Sequence, residues 1–123
     1  MNINAIADET LLYLSTKHSR VYRNKPIQSP VFPYVVYRID GTVNSYPSED
    51  LYLNIDIYED VNKSVRVIED LADTIDNGLN LTVINTTKLN LQFDREQRQY
   101  VTGEELVSTQ IINLRYNIRA YFK

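Results

Sequence analysis

The stretch from Leu51 to Asn77 constrains the fold more than any other. Leu51, Leu53, Ile55 and Ile57 alternate with Tyr52, Asn54, Asp56 and Tyr58, and the chain then runs directly into a helical pattern. Successive side chains of a strand point to opposite faces, so this run has one apolar face and one polar, tyrosine-bearing face. Beyond it, Val61, Val65, Ile68, Leu71, Ala72 and Ile75 recur at helical spacing opposite Asp70, Asp73 and Asn77. A half-buried strand followed by such a helix requires a sheet with a helix laid over it. Gly78 stands where a left-handed residue commonly ends a helix.

The remaining segments supply partners for that pair. Ile3, Ile6, Ala7, Leu11 and Leu14 predict a first amphipathic helix over residues 2–17. Lys17 to Pro33 contains Pro26, Pro30 and Pro33 and reads as a connecting loop, with room for a short edge strand at Val21 and Tyr22. Tyr34 to Ile39 is β-branched and aromatic and reads as a strand closed by a turn at Asp40-Gly41, with a loop from Thr42 to Asp50. Leu81 to Ile84 is a short extended piece, and Leu89, Leu91 and Phe93 mark a further strand that gives way to a polar tip from Asp94 to Glu104. In the closing strand, Leu106 to Phe122, the residues Ile112, Leu114, Tyr116, Ile118, Ala120 and Phe122 take one face, and Asn113, Arg115, Asn117 and Arg119 the other. The expected fold is one α+β domain over residues 1–123. It has two layers: a four-stranded, mainly antiparallel sheet and two helices packed on one of its faces, in the order α-β-β-α-β-β.

A chain of 123 residues supports one core. The absence of cysteine removes disulfides and thiolate nucleophiles and fits folding in a reducing cytoplasm. No segment reads as a signal peptide or a membrane span, so no membrane association is expected. Chemistry is equally scarce. His18 is the only histidine and lacks a nucleophile to serve, Gly41, Gly78 and Gly103 are too scattered for a phosphate loop, and Glu59 and Asp60 suit a strand-to-helix junction. Glu69, Asp70, Asp73 and Asp76 are expected on the solvent side of the second helix. No catalytic residue, metal ligand or cofactor is expected, and the chain does not read as an enzyme. Lys17, Arg20, Arg23 and Lys25, interleaved with Tyr22, form the best nucleic-acid candidate, although the net charge of −3 lacks the basic footprint of a dedicated binder.

Charge is unevenly distributed: residues 1–39 carry +3, residues 40–76 carry −8 and residues 77–123 carry +2. This pattern fits either solvated faces or an oligomer in which an acidic patch meets a basic one on the next subunit. Ten tyrosines against three phenylalanines add a residue type favoured at interfaces. The candidate interface therefore sets Glu49, Asp50, Tyr52, Asp56 and Tyr58 against Arg115 and Arg119 of a neighbour.

Taken in order, an N-terminal helix, a proline-containing loop, Val31-Phe32-Pro33-Tyr34-Val35-Val36-Tyr37, the strand Leu51–Tyr58, the helix VRVIEDLADTIDNGL and a long closing strand resemble the tail terminator proteins of long-tailed bacteriophages. These are also described as tail completion or head-to-tail joining proteins, and the resemblance spans nearly the whole chain. It implies a structural protein of the virion that forms a ring, typically hexameric, on the last ring of the tail tube. The ring stops polymerisation and offers a docking surface to the head connector, while DNA passes through the lumen unread. The partners implied are further copies of the chain, the tube protein and the head-completion protein. A head-completion or neck protein and a small nucleic-acid-binding module stay open as alternatives.

Overall fold

The structure, a computed structural model, describes residues 3–101 and 109–123. Two helices and six strands follow one another as α1 (Ile3–Ser15), β1 (Val21–Arg23), β2 (Tyr34–Ser45), β3 (Ser48–Asp60), α2 (Val65–Leu79), β4 (Val83–Asn85), β5 (Leu89–Val101) and β6 (Thr109–Phe122). The strands form one sheet in the order β1-β2-β3-β6-β5-β4. β1 runs parallel to β2, and every other pairing is antiparallel. This corrects the expected architecture: the sheet has six strands, is mixed, and curls into a half-barrel, so two helices on one face of a four-stranded layer do not describe it.

Local chemistry explains the difference. Gly41, with φ of 62°, does not end β2 in a turn. It sits in a bulge between Asp40 and Thr42, and the strand continues to Ser45 before reversing through Tyr46 and Pro47. A left-handed glycine inserts one residue and increases local twist without breaking the ladder. Most of the expected loop from Thr42 to Asp50 is therefore hairpin. A second bulge lies between Arg95 and Gln97, and beyond it β5 runs on to Val101 through the expected polar tip, of which residues 102–104 lie outside the described residues. The two outermost strands hold three residues each, too few to show periodicity.

Leu51, Leu53, Ile55 and Ile57 of β3 meet Ile112, Leu114, Tyr116, Ile118 and Ala120 of β6 in a core closed by Ile6, Ala7 and Leu14 of α1 and by Ile68, Ala72, Ile75 and Leu79 of α2. Three tyrosines bind the helices to this core. Their rings are buried or half-buried, and each hydroxyl donates to a helix: Tyr37 to the Ala7 carbonyl at 3.2 Å, Tyr13 to the Ile75 carbonyl at 2.7 Å, and Tyr116 to the Asp76 carboxylate at 2.6 Å. A phenol can fill apolar space and satisfy a polar group at its tip, which a phenylalanine cannot.

Helix α2 starts later than its apolar pattern suggests. Ser64 caps it by accepting from the Arg66 amide, while Val61 precedes it and is exposed. The helix ends at Asn80, whose amide donates to the Asp76 carbonyl. Gly78 is thus inside the helix, where its role is to admit Tyr13: a Cβ there would stand 2.5 Å from the Tyr13 hydroxyl. Alanine normally improves a helix by about 1 kcal/mol over glycine, yet overpacking costs about 1–3 kcal/mol, so the clash prevails. Gly78→Ala is expected to destabilise the chain by about 1 kcal/mol in urea unfolding. In a Tyr13→Phe background, which removes the clashing oxygen, the same change is expected to cost at most half as much or to stabilise. An equal penalty in both backgrounds would refute the steric role.

Candidate assembly surface

The face of the sheet turned away from the helices carries most of the residues singled out by charge. Pairing places Asp50 beside Arg119, Tyr52 beside Asn117, Asn54 beside Arg115 and Asp56 beside Asn113. Arg119 Nε lies 3.4 Å from Asp50 Oδ1, and the Arg115 guanidinium stacks 4.1 Å from the Tyr52 ring centre with Glu96 3.7 Å from its Nε. Asn113 donates to Asp56 at 2.8 Å, and Arg38 pairs with Asp40 at 2.9 Å. Five of the seven candidates, Asp50, Tyr52, Asp56, Arg115 and Arg119, thus form one continuous polar surface, in which Asp50 pairs with Arg119 and Arg115 with Glu96 inside the same chain while Asp56 accepts from Asn113. Because these pairs are part-exposed, each is worth under about 1 kcal/mol, and exchanging one for a contact with another molecule costs little.

The other two candidates lie elsewhere. Glu49 belongs by strand alternation to the opposite face, at the sheet margin between Asn44 and Ala120. Tyr58 stacks on Tyr34 with ring centres 4.7 Å apart, Tyr34 stacks on Phe32 at 5.5 Å, and Tyr22 meets Tyr34 edge-on. With Val36 and Ile111 on the same rows, these rings make a small second apolar cluster on the outer face. The proline-containing loop covers it and is pinned by His18, whose Nε2 lies 2.8 Å from the Pro33 carbonyl, and by Arg20, which donates to Pro33 and Phe32. Arg23 donates to Asn4, and Lys17 lies over the Tyr13 ring. Much of the basic stretch considered for nucleic acid is therefore engaged in holding the chain together.

A feature not foreseen from the sequence joins α2 to the outer half of β5. Asp76, expected on the solvent side, is buried: it accepts from Tyr116 and, at 2.7 Å, from Arg95. One turn earlier Asp73 pairs with Arg98, and Glu69 accepts from the Tyr100 hydroxyl at 2.6 Å. Glu69, Asp73 and Asp76 share one helical stripe, and Arg95, Arg98 and Tyr100 replace apolar residues on the inner side of β5. The sequence held a signal for this clasp, acids at i, i+4 and i+7 with cations downstream, but charges default to solvent unless a partner is known.

A half-open cleft of about 290 Å³ on the outer face is lined by Leu81, Val83, Gln92, Asp94, Asn117 and Arg119, among others. Among the described residues, the outer edges of β2 and β5 have no strand partner over much of their length. Among the described residues, no three His, Cys, Asp or Glu side chains converge as metal ligands, and no helix is long and apolar enough to cross a membrane.

No protein-family model matches the chain, and no curated protein matches it by sequence. Its fold is similar to that of solved structures. One shares 14% identity with this chain, with a TM-score of 0.71 over 100% of this chain and 98% of its own. Another is a chain of the virion of a native gene transfer agent particle, with 14% identity and a TM-score of 0.67 over 87% of this chain and 83% of its own. At such identity the likeness speaks for the fold.

The clasp generates two expectations. Asp76→Ala strands the buried Tyr116 hydroxyl and removes the partner of part-exposed Arg95 and is expected to cost about 2 kcal/mol, whereas Asp73→Ala, in a more exposed pair, is expected to cost under about 1 kcal/mol in urea unfolding. Equal losses would show that burial does not rank these contacts. The second concerns alkali. Burial, reinforced by the Asp76 carboxylate, pushes the Tyr116 phenol far above its ordinary value, and burial also raises Tyr13 and Tyr37. The unfolded chain then loses these protons first, so stability is full below about pH 10 and falls as pH rises above it, by up to about 1.4 kcal/mol per pH unit for each tyrosine. Tyr116→Phe is expected to make that fall shallower. An unchanged alkaline slope in the variant would contradict the assignment.

Proposed function

We propose that this chain is a virion structural protein of a phage-like particle, and that within this class it acts as a tail terminator. The observation that carries the reading is the likeness, over most of both chains, to a component of a gene transfer agent virion. The order of elements and the strand and helix patterns that resemble tail terminators support the narrower role. So does a surface whose polar groups are occupied in folding contacts or in weak, exchangeable pairs.

In this reading several copies form a ring, with six as the expected number, that caps the tail tube and halts its growth. The outer face bearing Asp50, Tyr52, Asp56, Arg115 and Arg119 is the surface we assign to a partner ring, either tube or connector. Its exposed ion pairs can be traded for equivalent pairs across the contact, which favours correct partners at little cost in stability. DNA passes through the lumen without being read. The chain is made in the host cytoplasm and ends in the virion at the head-to-tail joint.

The reading is tested by removing the gene from a producing cell and locating the tagged chain on purified particles. The expected result is a label at the joint of complete particles and, without the chain, tails of uncontrolled length that carry no heads. A label on the head side, with tails of normal length, would transfer the role to a head-completion protein. Absence from particles together with salt-sensitive retention on DNA would overturn the structural reading in favour of a nucleic-acid module.

A further inference from the structure

We propose that copies of this chain join edge to edge: the bare outer edge of β2 on one copy pairs antiparallel with the bare outer edge of β5 on the next. The inference deepens the ring reading and rests on it for closure. The argument begins with how little of each edge is covered. β1 pairs with β2 only from Val35 to Tyr37, and the last backbone contact on that side runs from the Asn24 amide to the Tyr37 carbonyl. Among the described residues nothing pairs with that side of β2 from Ile39 to Ser45. At the other margin β4 covers Asn90 to Gln92, Leu81 and Thr82 bond Phe93, and the Asn80 side chain accepts from the Arg95 amide. From Glu96 to Val101 the outer side of β5 has no backbone partner among the described residues.

The two open segments complement each other. They lie on opposite margins of one sheet, and β2 and β5 run in opposite directions within it, so a neighbour in the same orientation presents β2 antiparallel to β5. Neither segment contains the lysine or proline that commonly blunts an exposed edge, and the bulges at Asp40/Thr42 and Arg95/Gln97 leave Val43–Ser45 and Gln97–Val101 as the regular stretches able to pair. A second copy satisfies both edges at once, whereas a single foreign strand satisfies one. The contact joins two different patches, and contacts of that type close into rings or run on as filaments.

The open segments are also diagonal to each other. Val43 shares a row with Gln92 through Asp50 and Arg119, while Gln99 shares a row with Val36 through Asn113 and Asp56. Pairing Val43 with Gln99 of a neighbour therefore shifts one copy by the distance from Asp50 to Asp56, about 20 Å at about 3.3 Å per residue. A stagger of this kind tilts strands against the axis of a closed sheet, as a barrel requires. It also brings Tyr46, 91% exposed at the β2–β3 turn, toward Leu81, 75% exposed beside β4.

Because the chain has no cysteine, disulfide trapping reads the contact directly. Val43→Cys lies on the outer face, as do substitutions at Gln97, Gln99 and Val101; Arg98 and Tyr100 point to the inner face. A chain carrying Val43→Cys and one outer-face cysteine of β5 is expected to form multimers under mild oxidation at high concentration. A mixture of the two single variants is expected to stop at dimers. Either single variant alone, or Val43→Cys with Tyr100→Cys, is expected to stay monomeric on denaturing gels. Dimers from one single variant alone would overturn the proposal by showing a symmetric contact. Rings detected by mass without any cross-link would overturn it while leaving the ring reading intact, and a chain that neither cross-links nor associates would count against both. Should a variant misfold, slowed amide exchange at Thr42–Asn44 and Arg98–Tyr100 of the unaltered chain on concentration supports the contact, and unchanged exchange at both segments overturns it.

Discussion

The clasp between α2 and the outer half of β5 is the constraint on which the rest of the molecule depends. A strand whose exposed residues include Glu96, Gln97 and Gln99 has little apolar surface to keep it in place. Beside its backbone ladder to β6, it is held by Arg95, Arg98 and Tyr100, which reach inward to Asp76, Asp73 and Glu69. The firmest of these contacts is at Asp76, where burial makes each hydrogen bond costly to lose. Contacts made on the inner face leave the backbone edge of the strand unused. The same arrangement that completes the fold thus leaves, among the described residues, an unpaired edge at one margin of the sheet.

Tyrosine serves the fold in a second way. Its excess over phenylalanine suggested an interface, and exposed Tyr46 remains available for one. Tyr13, Tyr37 and Tyr116, however, tie helices to helix and sheet through their hydroxyls, and Tyr34 and Tyr58 build the small cluster under the proline-containing loop. The basic residues behave similarly: Arg20 and His18 fix that loop instead of waiting for phosphate. The polar residues that looked free in the sequence are largely committed. Among the described residues, backbone at two sheet margins and a face of weak ion pairs stay open to further contacts.

The central strands were legible in the sequence because burial on one face imposes strict alternation, as in Leu51–Ile57 and Ile112–Ala120. The core stripe of α2 was legible for the same reason. The missing parts were hidden by definite causes. Gly41 resembles a turn residue and acts as a bulge, so the second half of β2 read as a loop. Arg95, Arg98 and Tyr100 occupy positions that a core strand fills with apolar residues, so the second half of β5 read as a polar tip. Three-residue strands carry no period, so the edge strand β4 entered only as a short extended piece, whereas the short edge strand at Val21 and Tyr22 is present as β1 and only its parallel pairing was not foreseen. The pairing of Asp50 with Arg119 was visible as complementary charge, but sequence alone does not distinguish a partner in the same sheet from one in the next subunit.

The central claim is that this molecule works by extending its sheet from copy to copy. A reconstruction of the assembled particle, resolved well enough to trace strands, tests it most directly. The account predicts unbroken sheet density running from β5 of one subunit into β2 of the next, staggered along the strands. Subunits that meet only through helices or side chains, with both strand edges still bare, would contradict it.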